Sequence, residues 1–350
     1  MVHSIGLIGC GGIASAWIRA VAAEEDARIA LAFDLSREAA EQRAAETGAE
    51  AVAALEQIWD RDDVSIVVIG TPTASHPELV EQAAQAGKHI MCEKPMALDL
   101  DACRRMIAAA EAAGVKLAIG HTLRFMGAFL TCRRLVADGA IGAPVSGSVD
   151  RMGTAAPHRA GVPQASRQWR DDPANTGGMA LETFIHELDF ARAVFGEVAS
   201  ICCEVAGGSE YDGLLSPQIL QGLVKFESGA LVTARTGSTV ALPTRGYWIG
   251  GTEGGLYFSA WNGSVAHYRH DRDEPEQVPA AAGYAHQREF RDLLAAIATG
   301  SEPENSGVNG LKNVALGLGM YRSFETGRRV ECVGGLPADL AGDYRNTRWW

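Results

Sequence analysis

The stretch IGLIGCGGIA at residues 5–14 decides the fold of the chain. Its apolar, β-branched start predicts a strand, and a segment with helical spacing follows the glycines. Gly9, Gly11 and Ala14 form the pattern GxGxxA at the turn between the two. In this pattern the first glycine permits a tight turn, the second lets a pyrophosphate approach the backbone, and the small third residue lets helix and strand pack closely. The turn therefore predicts a dinucleotide site with the helix N-terminus facing the phosphates.

Residues beyond this turn extend the predicted dinucleotide site. Asp34 ends the second predicted strand, where a carboxylate accepts hydrogen bonds from both ribose hydroxyls of the adenosine, and this favours NAD. Arg37 leaves NADP open, because a guanidinium there would pair with a 2′-phosphate; a solvated helix residue is the simpler interpretation. Thr71, Pro72 and His76 follow the third strand, either as cofactor contacts or only as a turn and helix start. The cofactor-binding residues predicted from these patterns are Gly9, Cys10, Gly11, Gly12, Ile13, Asp34, Arg37, Thr71, Pro72 and His76.

Composition limits the class of protein. With 350 residues the chain is long for one compact core, which favours two domains. A hydrophobic share of 47% and a charged share of 21% are typical of a globular protein. No apolar run approaches the roughly 20 residues that span a bilayer. The net charge of −12 opposes binding to nucleic acid or anionic lipid, so we expect no nucleic-acid or membrane partner.

Cysteine usage and the N-terminus predict a cytoplasmic location. The seven cysteines are odd in number and include no CxxC pair, so buried free thiols are expected rather than disulfides or a zinc site. The apolar N-terminus lacks the basic start and cleavage site of a signal peptide. No Asp and His cluster has metal spacing, and the sequence after His186 lacks the second histidine of HExxH, so we predict no metal.

Strand and helix patterns change after about residue 121. Over residues 1–121, short β-branched runs alternate with alanine-rich helical stretches, which predicts a parallel sheet covered on both faces. From 198 to 270, predicted strands follow one another as hairpins and form an antiparallel sheet, and two helices close the chain. The predicted fold class is α/β plus α+β, with a Rossmann domain at 1–121 and a second domain at 122–350.

Residues 176–189 read TGGMALETFIHELD and place Glu182, His186 and Asp189 four and three apart on one predicted helical stripe. Oxidation of a secondary alcohol needs a base for the hydroxyl proton and a hydride acceptor. Histidine, with an ordinary pKa of about 6.5, takes such a proton at neutral pH. His186 is therefore the candidate base, and Glu182 would orient its ring or pass the proton onward. In the alternative interpretation these side chains only cap, pair and face water.

Four stretches together resemble the Gfo/Idh/MocA oxidoreductases: GLIGCGGIA, GTPTASHPELVEQAAQAGKHIMCEKPMALDLDACRRMIAAAEAAG, GHTLRF and TGGMALETFIHELD, in the family's order. The ending QREFRDLLAAIATG through SFETGRRV is similar to the family's tail. The resemblance implies a Rossmann domain and an open-faced, mostly antiparallel sheet domain with helices on one face. It implies substrate in the cleft between them and a nicotinamide-dependent reaction on sugars, cyclitols or related compounds.

The resemblance also implies roles for residues of the EKP pattern. Lys94 would lie near the nicotinamide and the reacting oxygen, where its ammonium would hold the charge of a developing alkoxide. Glu93 joins it among the implied cofactor-binding residues. The family usually has aspartate where this chain has Glu182, which leaves the role of that acid open. The predicted catalytic residues are Lys94, Glu182 and His186.

Further positions are candidate substrate contacts. Arg124 in GHTLRF matches a substrate-contacting position of the inositol-dehydrogenase branch, with a surface salt bridge as the alternative. Trp169 would shape the substrate loop or belong to the core. Asp189 would contact substrate or fix the histidine, and Thr183 would add a hydroxyl contact. The predicted substrate-binding residues are Lys94, Arg124, Trp169, Thr183, His186 and Asp189.

These features predict a dehydrogenase acting on CH–OH groups of a polyhydroxylated ring, with a cyclitol as the first substrate and an aldose as the second. A keto-sugar reductase working in the opposite direction uses the same groups. A sensor that binds dinucleotide without chemistry is the hypothesis from another class. An open sheet would expose an apolar patch unless another subunit covered it, so we expect a homodimer or homotetramer.

Overall fold

The computed structural model describes residues 2–154, 173–206, 219–237 and 239–348. Contacts divide the chain into two units. The first comprises Met1–Thr122 and Gly283–Leu311, and the second comprises Leu123–Ala282 and Lys312–Trp350. The predicted domain boundary after residue 121 stays a prediction. By contacts, residues 283–311 group with the first unit, although the prediction placed them in the second domain.

The helices of the described residues are α1 (Ala14–Ala22), α2 (Arg37–Thr47), α3 (Glu56–Trp59), α4 (His76–Gln85), α5 (Leu100–Ala113), α6 (Gly127–Ala137), α7 (Pro173–Thr176), α8 (Met179–Glu182), α9 (Ile185–Phe195), α10 (Ala285–Thr299) and α11 (Gly307–Thr326). Short 3-10 helices cover Thr73–Ser75 and Thr122–Phe125. Side-chain caps start two of the longer helices, because Ser36 accepts from the Ala39 amide and Asp99 from the Ala102 amide.

The first unit contains a parallel sheet. Its strands are β1 (His3–Ile8), β2 (Ala27–Phe33), β3 (Glu50–Ala51), β4 (Val64–Ile69), β5 (His89–Glu93) and β6 (Leu117–Gly120). The described strands lie in the order β3-β2-β1-β4-β5-β6. The order reverses at β1, between β2 and β4, and in such sheets ligands bind outside the carboxyl ends of the strands at that point. The glycine turn begins at this place, immediately after β1.

Helix α10 belongs to the first unit because it packs against α1. The Tyr284 hydroxyl donates to the carbonyl of Ala16 at 3.3 Å. The ring of His286 lies 5.1 Å from the ring of Trp17, edge to face. Phe290 and Leu293 are fully buried in the core that also contains Trp17. The C-terminal segment thus completes the core beside the glycine turn.

The second unit is built on a mostly antiparallel sheet. Its strands are β7 (Pro144–Thr154), β8 (Val198–Ala206), β9 (Ile219–Phe226), β10 (Leu231–Gly237), β11 (Thr239–Gly251), β12 (Gly254–Phe258), β13 (Val265–Arg269), β14 (Glu276–Val278), β15 (Val330–Val333) and β16 (Leu336–Pro337). The described strands lie in the order β14-β13-β12-β11-β7-β10-β9-β8-β15-β16. Strands β7 and β10 run parallel, and the other neighbours run antiparallel. These two sheets confirm the predicted fold class.

An aromatic cluster fixes α6 and α9 against the second sheet. Phe129 of α6 meets Phe190 of α9 at 4.5 Å between ring centres, and it meets Tyr247 and Phe258 at 5.1 Å each. Tyr247 and Phe258 stack at 4.7 Å on neighbouring strands. Such aromatic pairs add to the free energy gained by burial alone. The cluster therefore sets the position of the helix that contains His186.

Replacement of Phe129 by Ala tests this packing. A buried Phe→Ala change removes transfer free energy and leaves a cavity, so we expect the free energy of unfolding to fall by about 3–5 kcal/mol in urea denaturation. Leu35→Ala is the control, because Leu35 is 96% exposed and its change should cost less than about 0.5 kcal/mol. Equal losses in the two variants would contradict the role of the cluster.

Candidate functional site

The glycine turn of the first unit has the geometry of a pyrophosphate site. Gly9 has φ of +92°, and a Cβ there would lie 2.7 Å from the carbonyl carbon and oxygen of Gly70. Only glycine fits that position. A Cβ on Gly11 or Gly12 would meet nothing within 4 Å, so the backbone of the turn is open to a ligand. Ala14 is fully buried where α1 begins against the sheet, as the pattern predicts.

Asp34 is tied to this turn by hydrogen bonds. Its Oδ2 accepts from the amide of Cys10, and its Oδ1 accepts from the amide of Ser36, each at 2.8 Å. Each carboxylate oxygen has further acceptor capacity, which suits the two hydroxyls of a ribose. Arg37 is 77% exposed and pairs with Glu41 at 2.7 Å, which favours the interpretation of a solvated helix residue. Hydrogen bonds therefore hold the Asp34 carboxylate beside the glycine turn.

Arg43 is a residue of this site that the sequence patterns missed. Its Nε donates to the carbonyl of Cys10 and its Nη2 to the carbonyl of Gly11, both at 3.2 Å. Its Nη1 also pairs with Glu46 at 2.7 Å. The guanidinium braces the turn from α2 and places a positive charge beside it. No local pattern could reveal it, since the contact with Cys10 spans 33 residues of sequence.

The buried side chain of His76 holds the segment after β4 in place. The ring of His76 is fully buried, with Nε2 2.9 Å from the Thr71 carbonyl and Nδ1 3.0 Å from the Pro95 carbonyl. Burial lowers the pKa of His76, and its contacts with backbone carbonyls oppose that shift. Thr71 also accepts at Oγ1 from the Ser75 hydroxyl at 2.8 Å. His76 therefore links the ends of β4 and β5.

The EKP segment lies at the carboxyl end of β5. Glu93 is 8% exposed, and its Oε1 accepts from the indole of Trp17 at 2.8 Å. Its Oε2 accepts from the amide of Lys94 at 3.2 Å, and the peptide bond from Lys94 to Pro95 is cis. The Lys94 side chain is half-buried. Beside Trp17, burial lowers the pKa of His286 to about 4.

In the second unit, the predicted continuous stripe is wrong, because the helix is interrupted. Helix α8 ends at Glu182 and α9 begins at Ile185. The amide of Phe184 donates to the carbonyl of Met179 at 2.9 Å instead of that of Ala180, so the turn contains an extra residue. Glu182 and His186 therefore flank a break, and both side chains are half-buried.

Arg124 and Asp189 form a buried ion pair. Nε and Nη2 of Arg124 donate to the two oxygens of Asp189 at 2.9 and 2.6 Å. The amide of Asn313 also donates to Asp189 at 2.7 Å, and Arg192 donates to Asn313 at 2.6 Å. The Asp189 side chain is 1% exposed. These contacts attach α9 to its surroundings within the unit. The ion pair of Arg124 is buried, so it is not the surface salt bridge of the alternative interpretation.

A second buried acid lies next to His186 and was also missed. Glu187 is fully buried, and its carboxylate accepts from Tyr247 at 2.8 Å and from Arg151 at 3.3 Å. Burial raises the pKa of Glu187, and the charge of Arg151 opposes that shift. Arg151 Nη1 also donates to the carbonyl of Thr183 at 2.8 Å. Sequence offers one signal of this network: Glu187 is an acidic residue inside the apolar run around His186.

The remaining predictions concern Trp169, metals and membranes. Trp169 lies outside the described residues. Among the residues that the structure describes, no group of three or more His, Cys, Asp or Glu side chains is placed to hold a metal ion. Within the same residues, every helix falls short of the length and apolarity that crossing a membrane requires.

The parallel sheet, the glycine turn and Asp34 are typical of a dinucleotide-binding domain, and comparison with known proteins identifies a family of oxidoreductases. Residues 3–121 match the family model described as oxidoreductase family, NAD-binding Rossmann fold. Residues 133–332 match the model of that family's C-terminal alpha/beta domain. The chain belongs to the Gfo/Idh/MocA oxidoreductase family. The predictions of the family, of an oxidoreductase and of a nicotinamide dinucleotide cofactor are confirmed.

Similar proteins match almost the whole chain. The 1,5-anhydro-D-fructose reductase of Ensifer adhaerens is 29% identical over 343 residues, which is 95% of this chain and 99% of the relative. The inositol 2-dehydrogenase of Rhizobium meliloti strain 1021 is 27% identical over 94% of this chain and 99% of its own. The solved aldose-aldose oxidoreductase from Caulobacter crescentus, complexed with glycerol, has a TM-score of 0.83 at 28% identity and covers 95% of this chain and 100% of its own.

The variant Gly11→Val tests whether the glycine turn binds the cofactor. A side chain at this position meets open space in the protein but would occupy the place of the pyrophosphate. We expect the Kd for NADH, measured by fluorescence titration, to rise by about tenfold or more, which is a loss of about 1.4 kcal/mol of binding free energy. The thermal midpoint should stay within about 3 °C of the wild type, as for other surface changes. A variant that binds NADH as tightly as the wild type would show that the phosphates lie elsewhere.

Proposed function

We propose that the protein is an NAD-dependent dehydrogenase that transfers a hydride between a secondary alcohol of a sugar or cyclitol and nicotinamide. The observation that carries the cofactor side is the hydrogen bond from the Cys10 amide to Asp34, which holds a ribose acceptor against the glycine turn. The substrate class is supported by relatives named as a 1,5-anhydro-D-fructose reductase and an inositol 2-dehydrogenase, each matched over almost its full length. NADP remains a second cofactor to be compared.

The proposed chemistry assigns roles to the three catalytic side chains. A bound nicotinamide would supply the acceptor for the hydride of the alcohol carbon. His186 takes the hydroxyl proton, which leaves a carbonyl product. Lys94 donates a hydrogen bond to the alcohol oxygen and stabilises its developing negative charge. Glu182 orients the imidazole or passes its proton to water.

Reduction of a keto sugar is the second candidate function. The same groups serve that direction, with His186 as the acid that protonates the carbonyl oxygen as hydride arrives. The relative from Ensifer adhaerens, which is named as a reductase, specifically favours this alternative. The direction of net reaction therefore has to be measured with both oxidised and reduced cofactor.

Nicotinamide absorbance during incubation with cyclitols and aldoses tests the proposal. We expect one ring polyol to reduce NAD⁺ faster than NADP⁺, because the Asp34 carboxylate repels a 2′-phosphate. His186→Ala should lower kcat by about 10²–10⁴-fold, which is the usual contribution of a general base. NADH binding by this variant should match the wild type and so control for folding.

Other outcomes would redirect or refute the assignment. Oxidation of NADH by keto sugars alone would favour the reductase. Normal turnover by a folded His186→Ala variant would show that another group is the base. Tight NADH binding without any redox change across alcohols and carbonyls would favour a sensor.

We further propose that the protein forms a homodimer or homotetramer through the outer face of its second sheet. Leu223, Thr233, Ser148, Trp248 and Tyr257 are paired across neighbouring strands, so they form one row on one face. Within this row the three large apolar side chains are each more than 40% exposed. An apolar row of this kind is typical of a protein interface.

Light scattering checks the assembly. We expect the wild-type mass to be a multiple of 37.0 kDa, and Trp248→Glu to shift it toward one chain, because the change places a charge within the apolar row. Glu276→Gln, on an edge strand of the same sheet, should leave the mass unchanged. A wild type that is monomeric at working concentration would refute the proposed interface.

A further inference from the structure

Glu187 is a buried acid on a helix, and its carboxylate is bound by side chains of the sheet. It follows His186 directly, and its side chain is fully buried. A buried carboxylate is costly unless donors satisfy it. Here Tyr247 donates to Oε1 at 2.8 Å and Arg151 donates to Oε2 at 3.3 Å.

The same guanidinium nitrogen reaches the helix break. Nη1 of Arg151 donates to the carbonyl of Thr183 at 2.8 Å. Thr183 lies between α8 and α9, where the regular helical hydrogen bonds are replaced by the bond from Phe184 to Met179. Nη1 of Arg151 therefore contacts the backbone of Thr183, three residues before His186, and the side chain of Glu187, which follows His186.

The partners of this contact belong to the sheet. Arg151 lies on β7 between β10 and β11, and Tyr247 lies on β11. The indole of Trp261 donates to the Tyr247 hydroxyl at 3.0 Å, and its ring centre lies 5.2 Å from the guanidinium carbon of Arg151. The Arg151 side chain is 23% exposed, so solvent screens these contacts only in part. Arg151 thus links the helix break to strand β7.

We propose that Arg151 is a positioning residue for His186 and acts through Thr183 and Glu187. This inference rests on the proposed function, in which His186 moves the substrate proton. An interrupted helix has fewer backbone bonds to define its conformation, and the two bonds from Arg151 compensate for them. Misplacement of a catalytic group by about 1 Å can cost about 10²-fold in rate. Loss of this tie, the two hydrogen bonds from Arg151, therefore affects turnover more than ligand binding.

Arg151→Met tests the proposal against a matched control on the neighbouring strand. Arg235 of β10 donates through two nitrogens to Asp150 at 2.9 and 2.8 Å, so Arg235→Met also removes an arginine–carboxylate pair from this sheet. With the polyol of the panel that reduces NAD⁺ fastest, we expect Arg151→Met to lower kcat by about 10²-fold. KM and the Kd for NADH should change by less than about threefold, as should all constants of Arg235→Met.

Further measurements separate positioning from general damage. Arg151→Lys should recover about tenfold of kcat, because one ammonium can bind Thr183 or Glu187 but lacks the fork of arginine. With substrate deuterated at the reacting carbon, the isotope effect on kcat should be larger for Arg151→Met than for the wild type. Should Arg151→Met fail to fold, the isosteric Glu187→Gln replaces it, with a smaller expected fall in kcat.

The outcomes decide the inference in either case. Unchanged kcat in folded Arg151→Met, or an equal loss in Arg235→Met, would overturn it. If the wild type oxidised no polyol, the proposed function would fail, and amide hydrogen exchange would test the tie separately. Faster exchange at residues 183–188 in Arg151→Met than in Arg235→Met would support the tie, and equal exchange would refute it.

Discussion

The hydrogen bond from the Cys10 amide to the Asp34 carboxylate joins the first two strands at the place where the strand order reverses. This bond holds the glycine turn against the end of β2. The close approach of Gly9 to Gly70 holds the turn against the end of β4. Arg43 closes the remaining side by binding the turn's carbonyls. The amides that would face a pyrophosphate are therefore held in place by the protein before any ligand arrives, which lowers the entropic cost of binding.

In the second unit, helix α9, which contains His186, is held by ion pairs and hydrogen bonds as well as by apolar packing. Asp189 is bound by Arg124 and Asn313 on one part of α9, and Glu187 is bound by Arg151 and Tyr247 on another. The aromatic cluster adds apolar contacts between α9 and the sheet. Such satisfied polar networks specify one arrangement more strongly than apolar contacts alone, although each has a desolvation cost.

Much of the fold and part of the site were predictable from local sequence. The GxGxxA turn and Asp34 could be predicted because each lies at a strand end with a known geometric role. The break between Glu182 and His186 could not, because an unbroken spacing of apolar residues conceals one extra residue in a turn. Arg151 was missed for a different reason: its bonds to Thr183 and Glu187 span 32 and 36 residues, so only the packing of α9 against β7 reveals them.

The cofactor turn contains a cysteine, yet its thiol is poorly suited to reaction. Burial and the neighbouring Asp34 charge raise the pKa of Cys10 to about 11. Since the thiolate is the reactive form, only about one molecule in 10⁴ carries it at pH 7. Peroxide and alkylating reagents that inactivate proteins through accessible thiolates should therefore spare this position. The turn thus combines a small, close-packed side chain with a thiol that stays protonated at neutral pH.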